Sequence, residues 1–371
     1  MSTLPQSPAV PSDPLEQSVM TTSSSSRTRS ASDYSQLLAQ IQEAGLMRRR
    51  HAYYWARISL LVLSFGAIWT AFVLIGDSWW QLVVAALLGL VVTQFGFLGH
   101  DAAHQQIFSS RAWNEWTARL MSGVFAGLSY GWWSHKHNRH HNKPNQEGKD
   151  PDIGPGVLAF TPSQGRSKAG APQWFRRRQG YLFFPLLLLE GLNLHYESLR
   201  TLAQRPALKH RRLEATIISA RLIGCLAAVF VVLSPLRAVA FVVVQLGVFG
   251  VMLGASFAPA HKGMPLVPKD ARIDFLRRQV LTSRNIRSGV VTDIAMGHLN
   301  YQVEHHLFPS MPSVSLRRAQ PIVRAFCQER EIPYTETDLI ESYRIVIRYL
   351  NAVGLGARDP FVCPMVQQLR T

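Results

Sequence analysis

The sequence predicts an all-α integral membrane protein, with four transmembrane helices arranged as two hairpins and a cytosolic cap of further helices. Three observations lead there. Hydrophobic residues make up 47% of the 371 residues, yet they gather in a few long runs instead of spreading as a soluble core would. Positive charge lies almost wholly to one side of those runs. Three histidine clusters fall on that same side: His100-Asp-Ala-Ala-His104, His137-Asn-Arg-His140-His141 and Gln302-Val-Glu-His305-His306.

The elements follow in order. Residues 1–31 are rich in Ser, Thr and Pro and hold no apolar run, which predicts a disordered tail and no signal peptide. The main domain is read as 32–330. It opens with Tyr34, Leu37, Leu38, Ile41 and Ala44 at helical spacing, followed by Arg48, Arg49 and Arg50, the pattern of an amphipathic helix resting on a membrane surface. The first hairpin is read at 58–76 and 79–99, two uncharged apolar runs separated by Asp77 and Ser78. Each is about 20 residues, about 30 Å as a helix, long enough to cross a bilayer. Trp79 and Trp80 sit where an interfacial aromatic belt belongs. Residues 181–194 are apolar but short and interrupted by Pro185 and Glu190, so they are expected to lie at the interface or re-enter, not to cross. The second hairpin is read at 215–233 and 236–257, joined by Ser234 and Pro235, with Arg221 near enough to its end to snorkel. Residues 331–371 are read as a cytosolic C-terminal segment.

Charge sets the orientation. The first hairpin tip carries no Lys or Arg and the second carries Arg237 alone. Arg48 to Arg50, Arg57, Arg176 to Arg178, Arg205, Lys209, Arg211, Arg212, Arg277 and Arg278 lie opposite, which places both termini and the central loop in the cytosol. The formal net charge of +16 follows largely from this topology, and suits an anionic head group such as coenzyme A better than nucleic acid. Cys225, Cys327 and Cys363 form no Cys-x-x-Cys pair and imply no disulfide framework.

Imidazole is a strong ligand for iron, zinc, copper and nickel, and helical residues three or four apart share a face. Each cluster is thus expected to aim two or three rings at one place. The seven clustered histidines exceed what one tetrahedral ion takes, which suggests a two-metal centre at the membrane surface. A histidine-rich metal transporter is disfavoured, because transport needs ionisable residues near mid-membrane and the four runs offer almost none. A non-catalytic scaffold would not need intact clusters.

The order HxxxH, HxxHH, QxxHH around two hydrophobic hairpins resembles the membrane fatty acid desaturase family. The longer stretches Gly99-His-Asp-Ala-Ala-His104 and Asn300-Tyr-Gln-Val-Glu-His-His-Leu-Phe-Pro309 resemble its front-end and actinobacterial acyl-CoA branches. The resemblance spans about residues 34–330. It implies a di-iron centre in the cytosolic cap, with His100, His104, His137, His140, His141, His305 and His306 as ligands; spacing alone does not choose iron over zinc. Gln302 stands where many relatives have another histidine, leaving one coordination position open. His261, just past the fourth run, is a candidate eighth ligand, the alternative being a surface histidine. His298 is four before Gln302 and is a candidate for the ligand shell or a supporting role. Asp101, Asp150, Asp152, Asp293 and Glu304 are near enough in sequence to accept from ligand rings. His135, His195, His51 and His210 are read as structural or solvated.

The activity implied is oxygen-dependent insertion of a cis double bond into an acyl chain carried by coenzyme A or a lipid, in the cell membrane of a bacterium. A membrane hydroxylase or ketolase uses the same histidine set and is the alternative. Phe125, Tyr130, Trp132 and Trp133 are candidates to line the acyl entrance or to form an interfacial belt. There is no G-x-G-x-x-G fingerprint and no His-Pro-Gly-Gly signature of a fused cytochrome b5 domain, so a separate electron donor is expected: a ferredoxin, rubredoxin, cytochrome b5 or iron–sulfur reductase.

Overall fold

The computed structural model describes residues 32–166 and 173–355. The predicted tail at 1–31, the end of the C-terminal segment and Cys363 lie outside the described residues. The helices in chain order are α1 (Asp33–Glu43), α2 (His51–Ile75), α3 (Gln81–Ala103), α4 (Arg111–Arg119), α5 (Tyr130–Asn142), α6 (Pro162–Arg166), α7 (Gln173–Arg177), α8 (Gln179–Leu187), α9 (Glu190–Gln204), α10 (Arg211–Val232), α11 (Pro235–His261), α12 (Phe275–Leu281), α13 (Val290–Ala295), α14 (Gln302–Leu307), α15 (Ser313–Glu329) and α16 (Leu339–Gly354). Two short parallel strands, β1 (Asn285–Ile286) and β2 (Glu336–Thr337), pair Asn285 with Glu336 and Ile286 with Thr337.

Four helices, α2, α3, α10 and α11, are long and apolar enough to cross a membrane. Their hairpin tips meet: Asp77 accepts from the Ser234 amide at 2.9 Å and from Arg237 at 2.6 Å. That ion pair gives the lone tip arginine a local partner. The most apolar stretch of α3 is 56% buried, against 11% in α2 and in α10, so α3 is central and the other two face outward. At the crossing of α3 and α11, a Cβ on Gly89 would come within 2.9 Å of the Gln245 carbonyl, so only glycine permits this approach. Phe72, Leu88, Val92, Phe241 and Phe249 fill the space between the hairpins.

The helices overrun the apolar runs that predict them. α2 starts at His51, α3 continues to Ala103 and α11 to His261. Hydropathy reports what lipid tolerates, whereas a helix extends for as long as its backbone bonds are met. These extensions carry the polar ends to the histidines.

One expectation changes. The apolar face of α1 does not rest on the membrane: Leu37 and Ile41 are fully buried against Leu276, Val280, Leu316 and Val323 of α12 and α15. An amphipathic stripe records that a face is covered, and here protein covers it. The run 181–194 is divided between α8 and α9, and Leu188, Leu189, Leu192 and Tyr196 remain exposed, as an interfacial segment requires. The C-terminal segment also contributes to the fold, because Val346, Tyr349 and Leu350 of α16 pack on Phe183 and Leu187 of α8.

Candidate metal centre

Four helix ends converge. His100 lies in the last turn of α3 and His104 caps it. α5 is opened by the Ser129 side chain, which accepts from the Trp132 amide at 3.1 Å, and its final turns carry His137, His140 and His141. His261 is the last residue of α11. The short α14 carries Gln302, His305 and His306. All these side chains are buried except His104, which is half-buried.

Their nitrogens form two neighbouring groups. His100, His104, His137, His141 and His305 bring ligand atoms within 4.8 Å of one another, as do His140, His261 and His306. In the first group Nε2 atoms face each other at 2.9 Å (His137 and His104), 3.0 Å (His141 and His137) and 3.1 Å (His305 and His141). In the second, His140 and His261 Nε2 stand 3.2 Å apart, and the Gln302 amide lies 3.0 Å from His261 Nε2. The His141 and His306 rings stack at 4.2 Å, which puts the groups side by side.

Adjacent histidines divide between the groups. His141 and His305 serve the five-ring group, while His140 and His306 serve the three-ring group. The second and third clusters therefore do not each aim at one place. Neighbours on a helix point about 100° apart, so each pair spans two sites.

The donor set fits metal ions. A neutral imidazole has one donor and one acceptor nitrogen, so facing Nε2 atoms cannot all satisfy one another. Both ring nitrogens of His100, and Nε2 of His306, have no hydrogen-bond partner among the described residues, a costly state in a buried site. Nitrogens on opposite sides of an ion with bonds near 2.1 Å stand about 4 Å apart, the scale of each group. Burial, reinforced by neighbouring imidazoles, pushes His137, His141, His305 and His306 well below the ordinary histidine pKa. The rings are thus neutral at pH 7, the form that ligates. His140 moves the other way: burial pulls its pKa down, but Asp150 and Asp152 outweigh it. Burial likewise opposes the negative charge of Asp150, and His140 outweighs that to lower its pKa.

The rings are held from behind. Asp150 receives His140 Nδ1 at 3.1 Å on both oxygens, with the Asn145 amide at 2.7 Å and the Asp152 amide at 2.9 Å. Asp152 lies 3.4 Å from the same Nδ1 and pairs with Lys136 at 2.9 Å. His261 Nδ1 donates to the Thr282 carbonyl at 2.9 Å. Gln279 accepts from His306 Nδ1 and donates to the His141 carbonyl, both at 3.0 Å, touching a ligand of each group. No sequence signal marks Gln279, a polar residue beside two arginines, and Thr282 acts through its backbone.

Other expected partners are engaged elsewhere. Asp101 lies 3.5 Å from His100 Nδ1, but its carboxylate is taken by Arg57 at 3.0 Å and Ser313 at 2.8 Å. Glu304 is bound by Asn285 and Tyr334, and Asp293 by Asn300 and Tyr301. His298 stands apart and meets Tyr53 at 3.3 Å. Gly297 and His298 both adopt left-handed backbone, so the four-residue spacing to Gln302 is not a helical face. His195 is satisfied by the Gly191 carbonyl at 2.7 Å, and His135 and His51 are exposed. Of the aromatic candidates, Trp133 borders the centre, stacked on His137 at 4.2 Å. Phe125 instead stacks on Phe95 at 4.0 Å in the helical core, and Tyr130 lies under Arg119.

The model of the family described as fatty acid desaturase matches residues 77–338. A Delta(8)-fatty-acid desaturase of Helianthus annuus is 27% identical over 354 residues, covering 88% of this chain and 74% of the relative. A Delta(6)-fatty-acid desaturase of Caenorhabditis elegans is 28% identical over 333 residues, covering 86% and 74%. An acyl-lipid 8-desaturase of Rebecca salina is 31% identical over 280 residues, covering 72% and 64%.

Proposed function

Because the chain belongs to the fatty acid desaturase family, we propose that it is an oxygen-dependent desaturase that inserts a cis double bond into a fatty acyl chain at a di-iron centre. The observation that carries this reading is the pair of adjoining imidazole groups at the end of the apolar helices. His100, His104, His137, His141 and His305 would hold one iron. His140, His261 and His306 would hold the other, with the Gln302 amide beside His261. The catalytic domain comprises 32–330, supported on its outer side by α16.

Bound iron would supply the oxygen activation needed to take hydrogen from an unactivated methylene. The balance is one methylene pair, one O2, two electrons and two protons giving one olefin and two waters. The chain's own residues orient and shield. Asp150, Gln279 and the Thr282 carbonyl fix three ligand rings through Nδ1. Trp133 and Phe257, at 5.4 and 6.2 Å from the His100 ring, give an apolar border against which an acyl chain would lie. The Lys and Arg asymmetry supports a membrane orientation with the histidine end and both termini in the cytosol. The substrate is an acyl chain on coenzyme A or on a lipid; one relative named above carries an acyl-lipid name. The electrons come from a separate donor protein.

The test is a fatty-acid profile of a host of known lipid content expressing the chain with a reductase, beside His141→Ala. Gas chromatography–mass spectrometry of derivatised lipids should locate a new double bond that is absent from the variant. A hydroxylated lipid in its place would overturn the desaturase reading in favour of hydroxylation.

A further inference from the structure

A basic pocket lies directly outside the metal centre. It encloses about 530 Å³ and is lined by Lys143, Lys149, Arg272 and Arg278, with Asp270 the one acidic group on its wall. Among the described residues, none of the four cations is within ion-pair distance of a carboxylate. Arg278 is 7% exposed, its terminal nitrogens donate to the Asn142 and Ile273 carbonyls, and its Nε has no partner there. A neighbouring cavity differs: its Arg277 is paired with Asp33 at 3.1 Å and Asp274 at 3.4 Å. The cations of this pocket thus lack the carboxylate partners that Arg277 has in the cavity beside it.

We propose that this pocket is the docking site of an acidic electron-carrier protein. The proposal rests on the desaturase reading, whose two-electron demand it serves. Its placement carries it. Lys143 is two residues beyond His141, and Arg278 holds the carbonyl of the intervening Asn142. Gln279, next to Arg278, bonds both the His141 carbonyl and His306 Nδ1. The pocket wall is therefore one hydrogen-bonded step from a ligand of each imidazole group. None of its residues belongs to the four apolar helices. Complementary charge at such a face speeds encounter more than it strengthens the final complex.

The experiment uses the full chain in nanodiscs and an acidic plant-type [2Fe–2S] ferredoxin as the probe. Lys149→Glu/Arg272→Glu reverses two exposed charges. Ferredoxin association with wild type should be fast at low salt and should slow as salt rises. The double variant, at unchanged metal content, should associate about tenfold or more slowly at low salt, with the gap closing in high salt. Equal association rates for variant and wild type would overturn the proposal. So would loss of binding to free coenzyme A with ferredoxin association unchanged, which would make the pocket an anionic head-group site. Wild-type enzyme reduced by dithionite, without any carrier protein, tests the desaturase reading separately: product there, with no effect of charge on ferredoxin, refutes the docking alone.

Discussion

Asp150→Asn isolates what one carboxylate does for the centre. The wild-type side chain takes His140 Nδ1 at 3.1 Å on both oxygens, the Asn145 amide at 2.7 Å on one and the Asp152 amide at 2.9 Å on the other. The substitution is nearly isosteric, but the new amide keeps one oxygen. Whichever way it turns, an NH2 faces a backbone N–H, and the His140 ring loses its charged acceptor. A charge-assisted hydrogen bond contributes about 1.5–3 kcal/mol, and a buried donor left without an acceptor costs about 1–3 kcal/mol. Removing the group behind a ligating histidine typically weakens metal binding by about 10–100-fold, or roughly 1.4–2.8 kcal/mol. The predicted outcome is loss of metal from the three-ring group first, with a lowered thermal midpoint. The assay is iron retention against a graded chelator, read by elemental analysis on detergent-purified protein, with thermal unfolding of the apo form alongside. Asp152→Asn is the control: that residue is more exposed, pairs with Lys136 and lies farther from the ring, so it should cost at most about 1 kcal/mol. Asp150→Asn retaining iron as well as Asp152→Asn would refute the reasoning.

The remaining predictions use the same preparations. His306→Ala should lower bound iron from two toward one per chain, while the protein still inserts and purifies; two irons per chain would remove His306 from the ligand set. Gln279→Leu should weaken metal retention by about 10–100-fold, because the His306 ring loses its acceptor and the His141 carbonyl its donor; unchanged retention would leave Gln279 a packing residue. Gly89→Val should push α3 from α11 against the Gln245 carbonyl at an overpacking cost of about 1–3 kcal/mol, seen as a lower thermal midpoint; a wild-type midpoint would contradict the close crossing. His298→Ala should leave iron content unchanged, since its ring meets Tyr53 and joins neither group; loss of iron would place it back in the shell.

The features legible in the sequence were those set by composition over many residues. Four apolar runs of bilayer length became α2, α3, α10 and α11, because hydrocarbon tolerates no other stretch of backbone in this chain. His261 could be singled out for a related reason: it ends the fourth apolar helix much as His100 lies in the last turn of the second, and the structure sets it beside His140 and His306. Illegible features depended on who meets whom. The stripe of α1 showed that something covers it, not that α12 and α15 do so. Gln279 matters through two contacts distant in sequence, and no local pattern encodes them. The spacing of His298 to Gln302 does not give a shared face, because four residues mean one only inside a helix, and left-handed backbone at Gly297 and His298 interrupts it.

The division of adjacent histidines bears on how the two sites are built. His140 and His141 share one helix, and His305 and His306 share another, yet each pair serves both groups. A ring on one side therefore cannot shift by much without carrying its neighbour on the other. The two rear anchors reinforce this: Asp150 fixes His140, and Gln279 ties the His141 backbone to the His306 ring. Two independent helix ends, α3 and α11, then complete the groups from the apolar helices, His100 and His104 for one group and His261 for the other. Loss of α5 register, in consequence, should empty both sites together, whereas loss of His261 should weaken one. A comparison of His261→Ala with a helix-breaking Asn138→Pro in α5 would read that difference as one iron lost against two, and equal losses from both would show that the sites are not coupled through α5.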